Sequence, residues 1–256
     1  MVLSMERWKN KVAVVTGASA GIGSSIVEKL LELGLIVVGL ARRKEKIQAL
    51  STNKNLHAIQ CDITKESDIL KAFAWAEENL GPIHILVNNA GVGRVTNLID
   101  GKTEFWKDVF DTNVMGLCIA TREAVKSMRK NKVDGHVVHI SSIFGHKVVP
   151  FENLNVLCAS KHAITALTET LRQELIAIGS KIKISCVSPG ITKTEAIEAA
   201  CLASGPSEAT TRYKEGTKGA PALNPSDVAD AVVYILSTPP HVQIHDLWIK
   251  PVGESF

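Results

Sequence analysis

The chain has 256 residues, 45% of them hydrophobic and 21% charged, so it can bury a full core without disulfide or metal staples. A net charge of +3, with Lys and Arg dispersed among Asp and Glu, leaves no basic face for nucleic acid and argues against that class of partner. Five cysteines at positions 61, 118, 158, 186 and 201 form no CxxC pair, which speaks against a disulfide framework and a zinc site and makes a reducing, cytoplasmic setting the default.

Met1 to Asn10 carries Glu6, Arg7 and Lys9 and has no continuous apolar stretch, so no cleavable secretory signal is expected. Lys11–Thr16 reads as a first strand. The helix after it should begin near Gly21, because Ile22, Ile26, Val27, Leu30 and Leu31 fall on one face, and Gly34 ends it. Further strands are expected at Leu35–Leu40, Leu56–Gln60, Ile83–Val87, His136–Ile140 and Lys181–Val187. Helices are expected between them at about Ser67–Glu78, Glu104–Arg129 and Val156–Ile178. The greasiest stretch, Leu30–Ala41, is broken by Glu32 and too short for a membrane span. After Pro189 the periodicity fades, and Thr192–Asn224 holds Gly205-Pro206, Gly216, Gly219 and Pro221, the composition of a mobile substrate lid. A last helix near Pro225–Leu236 and a last strand near Val242–Ile249 close the chain.

Short β-rich runs alternating with helices predict βαβ units with right-handed crossovers. The expectation is one α/β domain over residues 1–256, a Rossmann-type doubly wound parallel sheet of about seven strands with helices on both faces.

The first strand runs straight into Thr16-Gly17-Ala18-Ser19-Ala20-Gly21-Ile22-Gly23. Gly17 allows the tight turn, Gly21 lets the backbone approach a pyrophosphate, and Gly23 permits close packing of helix on strand. The helix N–H groups would meet the anion. An ordinary glycine-rich turn is the alternative. At the end of the second strand, where NAD-specific folds place an acid, stand Ala41, Arg42 and Arg43. Arginine pairs with a 2′-phosphate and an acid repels it, so NADP (NADPH) is the expected cofactor; arginines that merely solvate a loop would look the same. Asp62, after the third strand, could meet the adenine or cap a helix.

The TGxxxGxG spacing, followed by Asn88-Asn89-Ala90-Gly91 after the fourth strand, resembles the short-chain dehydrogenase/reductase family. Asn113 in Asp-Thr-Asn-Val, Ser142 in Ile-Ser-Ser-Ile and Lys161 match its helix asparagine, catalytic serine and catalytic lysine. Ser188-Pro189-Gly190, with Thr194 beyond, looks like its nicotinamide loop. Within the family, the opening Met5-Glu6-Arg7-Trp8, the helix from Leu167 to Leu175 and the run Leu236 to Ile244 look most like insect farnesol and related NADP-dependent alcohol dehydrogenases. The resemblance implies that Gly17, Ser19, Gly21, Ile22, Gly23, Arg42, Arg43, Asp62, Ile63, Asn89, Ala90, Gly91, Lys161, Pro189, Gly190 and Thr194 hold the cofactor. It also implies a small-molecule alcohol or carbonyl substrate, and a homodimer or homotetramer through the helices near 104–129 and 156–178.

The family carries Tyr-x-x-x-Lys, and the tyrosine position here is Leu157. Residues i and i+4 share a helix face, so a lysine ammonium there lowers the phenol's pKa and lets it pass a proton. Leucine can do neither part of that exchange. In the intact chemistry Ser142 polarises the substrate oxygen, Lys161 holds the nicotinamide ribose and Asn113 anchors a relay water. Among substitutes for the phenol, Cys158 and His162 are turned off the lysine face, His139 and His146 are better read as structural, and Tyr213 would have to swing in on the lid; Tyr234 lies in the last helix. Phe144, Val148, Val149, Phe151 and Leu154 lie between the serine and that helix and suggest an apolar pocket.

Overall fold

The computed structural model describes residues 3–148 and 152–255. Seven parallel strands form one sheet in the order β3-β2-β1-β4-β5-β6-β7: β1 Val12–Thr16, β2 Ile36–Ala41, β3 Leu56–Gln60, β4 Ile83–Asn88, β5 His136–Ile140, β6 Lys183–Pro189 and β7 Asp246–Ile249. All residues of β1, β5 and β6 are buried, as expected of parallel strands covered on both faces.

The helices are α1 Gly21–Glu32, α2 Lys44–Gln48, α3 Glu66–Leu80, α4 Thr103–Phe110, α5 Leu117–Lys130, α6 Asn155–Ala177, α7 Ala196–Ser204, α8 Glu208–Thr217 and α9 Pro225–Ser237. One apolar cluster packs α1 and α9 on β1, β2 and β4 through Ile26, Leu30, Val232 and Ile235. A second packs α3 and α5 on the opposite face through Ile69, Phe73, Ala120 and Met128. The strand order reverses between β1 and β4, which opens a crevice beyond the carboxyl ends of those strands, the usual ligand site of such sheets.

The structure departs from the expected elements at four places. The helix expected over 104–129 is α4 and α5 joined by a π-helical turn at Asp111–Gly116, where a Cβ on Gly116 would lie 2.7 Å from the Ile63 carbonyl. Residues 192–224 are not irregular but hold α7 and α8, separated by Gly205 at φ +82°. The last strand is four residues, shorter than expected. Its upstream carbonyls leave the ladder, that of Val242 for the Lys183 ammonium at 2.8 Å and that of Ile244 for the Ser185 hydroxyl. Finally, α2 buries only Ile47, too little apolar periodicity to be seen in the sequence.

Candidate active site

The turn from β1 into α1 is tied to the end of β4. The Thr16 hydroxyl accepts the N–H groups of Asn89 and Ala90, each at 3.0 Å, and the Asn89 amide donates back to the carbonyls of Thr16 and Gly17 at 3.0 and 3.2 Å. Gly17 sits at φ +65°, where a Cβ would also fall 2.8 Å from Ala90 Cα. A Cβ on Gly23 would fall 2.3 Å from the Gly17 carbonyl, so Gly23 packs beneath the turn and does not line the cleft. Helix α1 has Ala20 as its N-cap, which supplies no side-chain cap. Its first N–H groups are thus left for an anion, and the uncapped helix with its glycine floor fits a dinucleotide pyrophosphate.

A cleft of about 680 Å³ runs from this turn along the crevice, within the usual size of ligand cavities. Gly17, Ser19, Gly21 and Ile22 line one end, with Arg42, Arg43, Asp62 and Ile63 beside them. Arg42 and Arg43 are exposed, and neither forms a salt bridge among the described residues. Asp62 lines the cleft, and its Oδ1 accepts the Thr64 N–H and hydroxyl at 3.1 and 2.8 Å; it does not cap α3, whose N-cap is Lys65. Burial pushes the Asp62 carboxyl up, but the Thr64 hydrogen bonds and the charges of Arg42 and Lys65 more than offset this and leave it below its ordinary value.

Asn89, Ala90, Gly91, Ser142, Leu157, Lys161, Pro189, Gly190 and Thr194 line the rest of the cleft. Thr194 closes over the turn, its Cγ2 3.0 Å from where a Gly21 Cβ would stand. The Ser142 hydroxyl accepts the Phe144 N–H at 3.2 Å and donates to the Pro189 carbonyl at 3.4 Å, joining the serine loop to the loop after β6. The Lys161 ammonium donates to the Ile140 carbonyl at 3.2 Å, and burial pulls its pKa down to about 8. A Cβ on Gly91 would lie 3.8 Å from that nitrogen and 3.5 Å from Asn113 Oδ1, so the two groups meet at Gly91.

Asn113 stands behind the wall and is fully buried. Its Oδ1 accepts the Val92 N–H at 2.8 Å, and its Nδ2 donates to the Val92 carbonyl and the Ser160 hydroxyl, each at 3.0 Å. The π-helical turn carries it; such turns gather at functional sites because they aim one residue out of helical register.

Leu157 is half-buried in the cleft wall, with its Cδ2 3.6 Å from a Cβ placed on Gly93. The other proton carriers fall as follows. His139 is buried between the Thr121 and Thr168 hydroxyls at 3.3 and 3.0 Å, and burial holds it down at about 3. His146 bonds Ser188 at 2.8 Å and stacks on Trp248, away from the cleft. His162 faces the Cys158 carbonyl of its own helix at 2.9 Å, and Cys158 is buried. Tyr213 does line the cleft, and burial raises its phenol to about 12; no swing of the lid is needed to bring it there.

The expected apolar wall is built from other residues. Of the three described residues among the five named from the sequence, only Phe144 lines the cleft. Val148 is 77% exposed and Leu154 is enclosed in the core, while Val149 and Phe151 lie outside the described residues. The apolar lining of the cleft among the described residues also includes Val92, Ile197, Ala200 and Leu157 itself. Arg94, whose guanidinium reaches Asp108 at 2.9 Å, Thr192 and Tyr213 also line it. Tyr213 is among the candidates read from the sequence; that reading misses Arg94 and Thr192 because nothing in the pattern marks loop residues as neighbours of Ser142.

The family profile described as short chain dehydrogenase matches residues 11–201. The chain is 47% identical over 259 aligned positions to "Farnesol dehydrogenase" of Aedes aegypti, covering 98% of this chain and 100% of that protein. It is 41% identical over 258 positions to "Dehydrogenase/reductase SDR family member 11" of Mus musculus, covering 98% and 97%. Among solved structures, "The Closed form of serine dehydrogenase complexed with NADP+" superposes with a TM-score of 0.86 at 29% identity, covering 96% of each chain. With a phosphate turn, a serine and a lysine converging on one crevice of a doubly wound sheet, and relatives of this identity along nearly its whole length, the chain belongs to the short-chain dehydrogenase/reductase family of oxidoreductases.

Proposed function

We propose that this protein is an NADP-dependent oxidoreductase acting on a lipophilic, farnesol-like alcohol or the matching carbonyl compound, with turnover weakened by Leu157. The observation that carries this reading is one cleft holding Arg42 and Arg43 at one end and Ser142 and Lys161 against an apolar wall at the other. The arginines favour a 2′-phosphate, and the α1 N–H groups take the pyrophosphate. Bound, the dinucleotide supplies or accepts the hydride. Ser142 donates its hydroxyl to the substrate oxygen, and Lys161 holds the ribose. Both hydrogens of Asn113 Nδ2 are spent within the protein, so Asn113 holds a relay water through an oxygen. The segment 192–224 acts as the substrate lid of a single domain spanning 1–256.

No phenol stands between Lys161 and the substrate oxygen. Losing a positioned general acid lowers rate by roughly 10²–10⁴, so the wild type works slowly. A second reading is a silent NADP-binding or assembly protein, favoured by the Lys161 ammonium having found the Ile140 carbonyl at 3.2 Å. Exposed Phe110 and Met115 near the α4–α5 junction support self-association as a dimer or tetramer through that face. The reducing cysteine pattern supports a cytoplasmic setting.

The test compares wild type with Leu157→Tyr on a panel of alcohols and aldehydes with NADPH or NADP. Slow wild-type turnover raised by the tyrosine supports the leading reading. Turnover by the tyrosine form alone makes the wild type a binder, and equal turnover means that another group supplies the proton.

A further inference from the structure

Glu254 has no part in the chemistry above, yet its side chain is only 1% exposed. Its Oε1 accepts the Ile191 N–H at 2.7 Å, and its Oε2 lies 3.3 Å from the Lys250 ammonium. A Cβ on Gly190 would stand 2.5 and 2.6 Å from the two carboxylate oxygens, so the carboxylate is pressed against bare backbone that only glycine provides. The turn that brings it there runs from Pro251, whose carbonyl accepts the Glu254 N–H at 3.2 Å, through Gly253 at φ +90°, the geometry of a type II turn.

A carboxylate is withdrawn from water at a cost that charge-assisted hydrogen bonds must offset. What this one holds is the loop leaving β6 toward the lid. Gly190 N–H donates to the Ile249 carbonyl and Lys193 N–H to the Leu223 carbonyl, each at 2.8 Å, and the Ile191 carbonyl accepts the Leu223 N–H at 2.8 Å. With Ile191 N–H taken by Glu254, the Thr192 N–H is the one backbone N–H of residues 190–193 without a partner among the described residues, and Thr192 lines the cleft.

We propose that Glu254 is a positioning residue, a clasp from the far end of the chain that fixes the loop 190–193 against which the nicotinamide half of the cofactor rests. This rests on the NADP reading above. Glu254 touches neither cofactor nor substrate; it acts through Gly190 and Ile191, with Lys250 balancing its charge.

The test is calorimetry with two probes, NADPH and adenosine 2′,5′-bisphosphate, which lacks the nicotinamide half. Glu254→Ala is expected to raise the NADPH Kd roughly tenfold, the loss of one hydrogen bond to a charged group, and to leave the bisphosphate Kd within about twofold. Glu254→Gln keeps an acceptor for Ile191 N–H and is expected to rescue most of the loss. Gly190→Ala, whose Cβ would displace the carboxylate without removing it, must show the same split between probes even where Glu254→Ala folds poorly. Unchanged NADPH affinity in both Glu254→Ala and Gly190→Ala, or equal weakening of both probes, overturns the clasp. Binding of neither probe by the wild type overturns the NADP reading itself.

Discussion

Leu157 and Lys161 stand one turn apart on the same face of α6, and both side chains open into the cleft. The lysine keeps the position from which it would tune a phenol, but its neighbour is a branched alkyl chain. The ammonium bonds a backbone carbonyl at 3.2 Å instead. The consequence is electrostatic as well as chemical, because a cation withdrawn from water into a low-dielectric wall gives up its proton more readily.

That shift predicts the pH dependence of whatever carbonyl reduction the wild type retains. Burial brings Lys161 to about 8, near the working pH where a proton donor is most effective. Residual proton transfer from Lys161 needs its protonated form, so reduction by that route should be steady below this value and fall as pH rises through it. Lys161→Met should remove the inflection along with the activity. A wild-type profile flat from pH 7 to about pH 9 would exclude the ammonium as the donor.

Arg42 and Arg43 predict the cofactor preference. Both are exposed at the end of the cleft beside the β1–α1 turn, so solvent screens them and no single arginine can carry the whole selectivity. Arg42→Ala should weaken NADPH binding roughly tenfold and leave NADH within about twofold. Titration calorimetry at two salt concentrations reads both, and the wild-type preference should shrink at the higher one. Equal loss for the two dinucleotides would mean that Arg42 does not read the 2′-phosphate.

The architecture was legible because it rests on periodicity and turn chemistry. Strands β3 and β5 have the expected bounds, α1 starts at Gly21 as the glycine spacing requires, and the residues named for cofactor and chemistry line the cleft apart from Gly23 and Asn113, which support it from behind, whereas Val148 and Leu154, expected in its apolar wall, do not. What escaped was set by tertiary contacts. Glu254 has no local signature, since its role exists only through Gly190 some sixty positions earlier. Ser185 and Lys183 draw off the carbonyls of residues 242–244 and shorten β7, which a β-rich run cannot reveal. Tyr213 reached the cleft because α8 is a formed helix capped by Ser207, where the glycines and prolines of the segment suggested irregular chain.

Gly23 gives a sharp test of the phosphate turn. The atom that a Cβ would meet at 2.3 Å is the Gly17 carbonyl oxygen, and the Asn89 amide lies at 2.5 Å, so the obstruction is backbone and cannot rotate away. Gly23→Ala must push α1 off the turn or flip the Gly17 peptide, at about 1–3 kcal/mol. Thermal melting should show this loss, and NADPH uptake should fall more steeply than in Arg42→Ala. A variant with unchanged melting and binding would show that the turn is looser than its contacts imply.

The buried histidines predict how the fold responds to acid. His139 is enclosed between two threonine hydroxyls with its pKa held at about 3, and His136, bonded to Ser185 at 2.8 Å, is also held well below its ordinary value by burial and by the nearby Lys183 and Arg7 charges. A histidine whose folded pKa is depressed is protonated first in the unfolded chain. Its stability contribution is therefore full above about pH 6.5 and declines as pH falls below that, by about 1.4 kcal/mol per pH unit for each such group until its folded pKa is reached. Denaturant melts between pH 5 and about pH 7 should show this slope before the carboxylates begin to titrate. His139→Gln keeps a polar side chain between Thr121 and Thr168 without a titrating group, and it should flatten the slope by the share of one proton. Parallel curves for wild type and variant would show that His139 takes up a proton equally in the folded and unfolded chain, and that the threonine pair does not keep it neutral.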